Sequence, residues 1–137
     1  ARANQWEIYK FNPDGTFDEL MGLFPDGSPK YLALDNVNAA KSTRTNHLNS
    51  GGSLGLNLNG QNMVGGVWDG GPVRTSHQEF GGRVVIGDGA TILNSNSFHG
   101  THVTGTVTAT GVQADAKGMA NLATVKTFDW NFGKFYT

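Results

Sequence analysis

Cysteine is absent from the 137 residues, so disulfides, thiolate chemistry and Cys-based zinc sites are excluded, while the redox compartment stays open. No run of eighteen apolar residues occurs, and the opening ARANQWEIYK has no apolar stretch, so neither a membrane-spanning helix nor a signal peptide is expected. An excess of either charge is missing too. Ten Lys and Arg stand against eleven Asp and Glu, with no like-charge run to follow phosphates or an anionic lipid surface. Nucleic acid and membrane are not expected as partners. Glycine, by contrast, supplies 20 residues, about twice the usual share, and Thr, Asn and Ser are plentiful. This composition points to one loop-rich, strand-rich domain with a real core rather than a helical bundle.

Along the chain, WEIYKF (6–11), TFDELMGLF (16–24) and KYLAL (30–34) carry aromatic and branched residues and are separated by NPDG and PDGSP. Proline presets φ and glycine supplies φ > 0 in such turns, so residues 1–45 read as an antiparallel β meander and lead-in. Residues 46–62 form a Gly/Asn-rich connector in which Leu54, Leu56 and Leu58 alternate as on a half-buried strand. In 63–137, MVGGVW (63–68), GRVVI (82–86) and ATVKTFDW (123–130) read as apolar strands. Strands separated by helix-length segments indicate a parallel α/β arrangement. The stretch THVTGTVTATG is rich in Thr and Val and by local propensity favours a strand, against the helix that an α/β arrangement needs.

Asp69 follows an apolar strand and precedes two glycines, a place where a carboxylate stands at the C-terminal edge of a parallel sheet. The plain alternative is a turn Asp bonding its own backbone. His99 and His102 stand three apart, so they point to opposite faces of a strand but are neighbours on a helix. They are candidate reacting groups or two ligands of a zinc site, although no HExxH motif and no Cys would complete one. His47 and His77 lie in polar loop sequence and read as locally bonded; Asp88 in GDGA reads as a turn residue. Trp68, Phe80, Phe128 and Trp130 read as core aromatics.

GGVWDGG followed thirty residues later by HGTHVTGTV resembles the Asp and His motifs of the subtilisin-like serine peptidases, or subtilases. RTSHQEFGGRV and AKGMANLATVKTFDW follow in the order expected of that family, so the resemblance covers about residues 60–130. The segment VNAAKSTRTNHLNSGGSLGLNLNG is similar to the lead-in of secreted Bacteroidetes-type members. The resemblance implies an α/β fold, a partial subtilisin-like parallel sheet with a helix, preceded by the antiparallel meander. It implies peptide-bond hydrolysis, with Asp69 as the orienting carboxylate, His99 as the general base, and His102 and His77 structural. It implies a buried central helix from near His99, with Gly100, Gly105 and Thr106 permitting close backbone approach, and a secreted or extracytoplasmic location.

The chain departs from the family pattern in one decisive way. No GTS motif follows His99 and no later Asn is assignable to an oxyanion hole, while Ser95 and Ser97 precede the His. The expectation is therefore the N-terminal part of a serine endopeptidase, inactive alone, acting on peptide or protein substrates once a complementary C-terminal polypeptide supplies the serine. No cofactor is identifiable, and scattered acidic residues give no support for structural calcium. The competing expectations are a non-catalytic interaction module derived from a protease fold and a His-based zinc-binding protein.

Overall fold

The computed structural model describes residues 5–11, 13, 17–33 and 36–132, which fall into two compact units, Ala1–Asp35 and Asn36–Thr137. Most of the NPDG turn, Thr16, Leu34 and residues 133–137 of the tail NFGKFYT lie outside the described residues. The chain is mixed α/β. Among the described residues no helix is long and apolar enough to cross a membrane.

The first unit is the expected meander. Strands β1 (Tyr9–Phe11), β2 (Phe17–Leu23) and β3 (Pro29–Ala33) pair antiparallel in that order, with a register shift between Leu20 and Gly22. The β2–β3 turn is closed by the Phe24 N–H on the Ser28 carbonyl at 2.9 Å, and Gly27 takes φ 82° there. Asp26 fixes the turn by accepting the Ser28 N–H and hydroxyl at 2.9 and 2.6 Å.

The second unit begins at residue 36, so 36–45, which the sequence assigns to the lead-in, belongs to it. Two short helices, α1 (Asn36–Ser42) and α2 (Thr45–Leu48), precede the Asn-rich segment. The strand expected around Leu54, Leu56 and Leu58 does not form, and all three leucines are exposed. Side-chain amides supply hydrogen bonds there instead. Asn49 donates to the carbonyls of Leu58 and Met119 at 2.8 and 3.3 Å, and Asn59 bridges Ser50 and Asn57. Such local amide bonding competes with a strand ladder, which explains why alternation of leucines misleads.

The three apolar segments form strands β4 (Val64–Asp69), β5 (Val84–Ile86) and β6 (Thr124–Asp129) of one parallel sheet in the order β4-β6-β5. One face carries Val84, Val125 and Thr127, which are buried; Val73 and Phe80 complete the core, with Val67 and Val107 beside it. The other face is open. It bears Val85, Lys126, Phe128 and Trp68, the last two rings stacked at 4.5 Å between centroids. A Cβ on Gly66 would meet the Trp68 ring at 2.4 Å, and one on Gly87 the Phe128 ring at 2.4 Å, so these glycines make room for the stack. The expectation of four core aromatics thus holds for Phe80 alone among the fully buried ones; Trp68 and Trp130 are 60% and 52% exposed.

The disputed Thr-rich stretch is a helix, α3 (Ser97–Thr108). Its buried positions, Ser97, Gly100, Thr104 and Thr108, recur at helical spacing, so packing overrides the strand preference of Thr and Val. Hydroxyls turn back onto the helix. Thr101 donates to the Ser97 carbonyl at 2.6 Å and Thr106 to that of His102 at 3.3 Å. Gly105, expected at a close approach, has open space around it, whereas Gly100 does not.

Every carbonyl of the last turn of α3 is satisfied, as a partly buried helix end requires. The acceptors Gly105, Thr106, Val107 and Thr108 take the N–H groups of Ala109, Met119 and Ala120 and the guanidinium of Arg83 at 2.9, 3.0, 2.8 and 2.8 Å. Arg83 also donates to the Thr108 hydroxyl, the Ala123 carbonyl at 2.9 Å and the Thr110 hydroxyl at 2.7 Å. A cation at a helix C-terminus is well placed electrostatically. The loop beyond is gripped by buried Glu79, whose carboxylate accepts the N–H groups of Gly111, Val112 and Gln113 at 2.7, 3.0 and 2.7 Å. Burial pushes the Glu79 carboxyl up, but those N–H groups, with His77 nearby, outweigh it and hold its pKa below the ordinary 4.5.

A depressed carboxyl pKa stabilises the fold above its unfolded-state value, and the gain disappears as pH falls through the folded-state value. Glu79→Gln is accordingly expected to cost about 2 kcal/mol at pH 7, with the difference from the parent shrinking below pH 4.5; urea unfolding across pH checks this. The Thr104 hydroxyl is buried without a hydrogen-bond partner among the described residues. Thr104→Val keeps its shape and is expected to raise stability by about 1 kcal/mol in the same assay.

Candidate active site

The C-terminal ends of the parallel strands bring three carboxylates to one edge: Asp69 ends β4, Asp129 ends β6 in register with it, and Asp88 lies two residues after β5. Two of them are occupied by backbone. Asp88 accepts the N–H groups of Ala90 and Asp129 at 3.0 and 2.6 Å, and Asp129 accepts that of Asn131 at 2.8 Å. Asp88 is thus the turn residue the sequence suggests, and it also ties β5 to β6.

Asp69 alone of the three meets an imidazole. Its Oδ2 and Oδ1 lie 2.8 and 3.0 Å from His99 Nδ1, and Oδ1 also accepts the Gly70 N–H at 2.6 Å. The carboxylate is buried while 57% of the His99 side chain is exposed. A carboxylate can only accept, so Nδ1 carries the proton and, in the neutral ring, Nε2 holds the lone pair. Nε2 has no hydrogen-bond partner among the described residues. The arrangement is therefore a base with its proton-accepting nitrogen free and its other nitrogen held by a buried anion.

The pair forms because two backbones come unusually close. His99 lies in the first turn of α3, and the chain leaving β4 runs beneath that turn as Gly70-Gly71. A Cβ on Gly71 would sit 2.5 Å from Asn94 Oδ1 and 2.9 Å from Ser97 N; one on Gly100 would sit 3.0 Å from the Gly71 carbonyl oxygen and 3.4 Å from the Asp69 Cβ. Any side chain at Gly71 would push the helix start, and with it His99, away from Asp69. The loop before the helix is fixed by Asn94, whose Oδ1 accepts the Asn96 N–H at 2.8 Å, and by Ser97, whose Oγ accepts the Asn94 N–H at 2.9 Å.

The remaining histidines do not join the pair. His47 Nδ1 bonds the Ser53 hydroxyl at 2.6 Å, and His77 Nδ1 accepts the Glu79 N–H at 3.3 Å beside the Phe80 ring. Both are locally bonded, as the sequence suggests, although His47 lies in α2 and not in a loop. His102 is half-buried one turn along α3. Among the described residues no group of three or more His, Cys, Asp and Glu side chains is placed to hold a metal. Ser97 is buried and its hydroxyl already accepts the Asn94 N–H, and among the described residues no serine is hydrogen-bonded to the His99 ring. Half-exposed aromatics flank the site: Phe98 meets the His99 ring edge-on at 6.4 Å, and the Trp130 ring lies 3.4 Å from where a Gly70 Cβ would be.

No family model matches the chain, and no solved structure matches it. The residues missed by sequence reasoning are those that hold the pair through backbone: Asn94, whose bond to the Asn96 N–H is a local turn contact, and Asn96 and Asn131, which carry no spacing signal because both bind the Gly70 carbonyl, brought near only by folding.

Gly71→Ala is expected to destabilise the second unit by about 2 kcal/mol through this clash. Gly65→Ala, at a β4 position with open space around it, is expected to change stability by less than about 0.5 kcal/mol. Urea unfolding of the two variants against the parent checks the contrast.

Proposed function

We propose that this chain is part of a subtilisin-like serine endopeptidase, in which Asp69 and His99 are the carboxylate and general base of a Ser–His–Asp triad. The observation that carries the reading is the two-oxygen contact of buried Asp69 with His99 Nδ1, which leaves Nε2 free on an exposed ring. A strand-end Asp facing a helix-start His, in the order Asp then His, accords with the resemblance of GGVWDGG and HGTHVTGTV to that family's motifs.

In this reading the serine comes from a complementary C-terminal polypeptide. A serine hydroxyl attacks the peptide carbonyl carbon while His99 Nε2 takes its proton, and Asp69 stabilises the imidazolium that forms. The imidazolium then gives that proton to the leaving amine, and water repeats the sequence to release the acyl group. The open sheet face with Val85, Phe128 and Trp68, together with the exposed Val64, offers apolar area for that polypeptide to cover. Peptides or proteins are the substrates, and secretion follows from the family reading.

The same open face also favours a second reading, a non-catalytic interaction module that uses the sheet to bind a partner. Peptide cleavage by the assembled protein separates the two. His99→Ala is expected to lower kcat by on the order of 10⁶-fold and Asp69→Asn by about 10⁴-fold. Cleavage that survives His99→Ala unchanged removes His99 as the base, and an assembled parent that cleaves nothing favours the module.

A further inference from the structure

The segment that places Asp69 is the least restrained kind of backbone, a Gly-Gly pair directly after the carboxylate. Left to itself, such a pair lets the Asp69 side chain and the chain beyond it turn freely. In the structure it does not turn, because the Gly70 carbonyl accepts two side-chain amides, Asn131 Nδ2 at 3.0 Å and Asn96 Nδ2 at 3.3 Å. These come from two different elements. Asn131 follows β6, where the neighbouring Trp130 N–H bonds the Asp69 carbonyl at 2.9 Å. Asn96 immediately precedes α3, and its own carbonyl accepts the N–H groups of His99 and Gly100 at 3.0 and 3.4 Å.

We propose that Asn131 and Asn96 are positioning residues that clamp the Gly70 carbonyl and thereby hold the Asp69 carboxylate against His99 Nδ1. The link runs through one residue. The clamp holds the peptide plane after Gly70 while the Trp130 N–H holds the one before it through the Asp69 carbonyl, so the two soft dihedrals of Gly70 are fixed between them and its N–H meets Asp69 Oδ1 at 2.6 Å, setting the carboxylate toward the ring. Asn96 adds a direct coupling, since the residue that grips the Asp turn also receives the His99 N–H. Neither amide touches a reacting atom. The clamp rests on the catalytic reading only for its purpose; its geometry and its test stand without it.

The test reads the His99 ring directly in this chain, by the ¹⁵N shifts of Nδ1 and Nε2, which report the fraction of neutral imidazole protonated at Nδ1. The parent is expected to hold mainly the Nδ1–H form. Asn131→Ala is expected to shift the ring toward the Nε2–H form, Asn131→Asp to shift it further by setting a carboxylate against the carbonyl, and Asn131→Gln to restore part of the parent value. If Asn131→Ala fails to fold by circular dichroism, Asn96→Ala carries the same expectation with a smaller shift. An unchanged tautomer ratio in a folded variant lacking either amide overturns the clamp. In the assembled enzyme the same variants are expected to lower kcat roughly tenfold to a hundredfold with little change in KM. A protein that cleaves no peptide would remove the catalytic reading while leaving the tautomer result standing; normal cleavage beside an unshifted ring would remove the clamp alone.

Discussion

Backbone approach at Gly71 and Gly100 is the constraint on which the second unit's site depends. A helix and the chain leaving a parallel strand ordinarily keep a side chain's width between them. Here Gly71 lies where a Cβ would overlap Asn94 and the start of α3, and Gly100 lies over the Gly71 carbonyl. Only that closeness lets a short Asp side chain at the end of β4 reach a ring in the first turn of α3. The hydrogen bonds around Gly70 make the approach a single geometry, since glycine by itself would permit many.

A close approach at one end of a helix is useful only if the other end is anchored. The last turn of α3 is held by Arg83 and by the N–H groups of Ala109, Met119 and Ala120, and the loop after it by Glu79. The apolar core is small, with Phe80 and Val125 as its largest fully buried hydrophobic side chains. Polar bonding to backbone therefore does much of the anchoring that a larger core would do elsewhere. Losing one such partner leaves buried acceptors or donors unmade, which costs more than the bond's net worth.

The sequence revealed the fold where the signal was apolar and continuous, and hid it where the decisive partner was a main-chain group. The three strands of the parallel sheet are legible as MVGGVW, GRVVI and ATVKTFDW because short runs rich in branched and aromatic residues, bounded by turn residues, read as strands even where one face of the sheet is open. The helix α3 is not legible locally, since four Thr and two Val favour a strand until the buried spacing of Ser97, Gly100, Thr104 and Thr108 is known. Leu54, Leu56 and Leu58 mislead in the opposite direction, alternating without a strand to carry them. Trp68 and Trp130 read as core because aromatics usually are, but no described residue covers their faces fully. Asp69 and His99 could be paired from sequence because GGVWDGG and HGTHVTGTV together resemble one family's Asp and His motifs; Asn96, Asn131, Glu79 and Arg83 could not, because what they bind is brought near only by folding.

The pair is a buried anion against a base with a free nitrogen; in the proposed enzyme these are two parts of the site, and a third, the serine, is needed. The most direct measurement is fluorophosphonate labelling of the native, assembled protein, followed by peptide mapping of the modified residue. The account predicts one labelled serine, outside the residues described here, whose labelling is lost on His99→Ala. A native assembly that cleaves peptides yet labels no serine, or labels one equally well without His99, would contradict it.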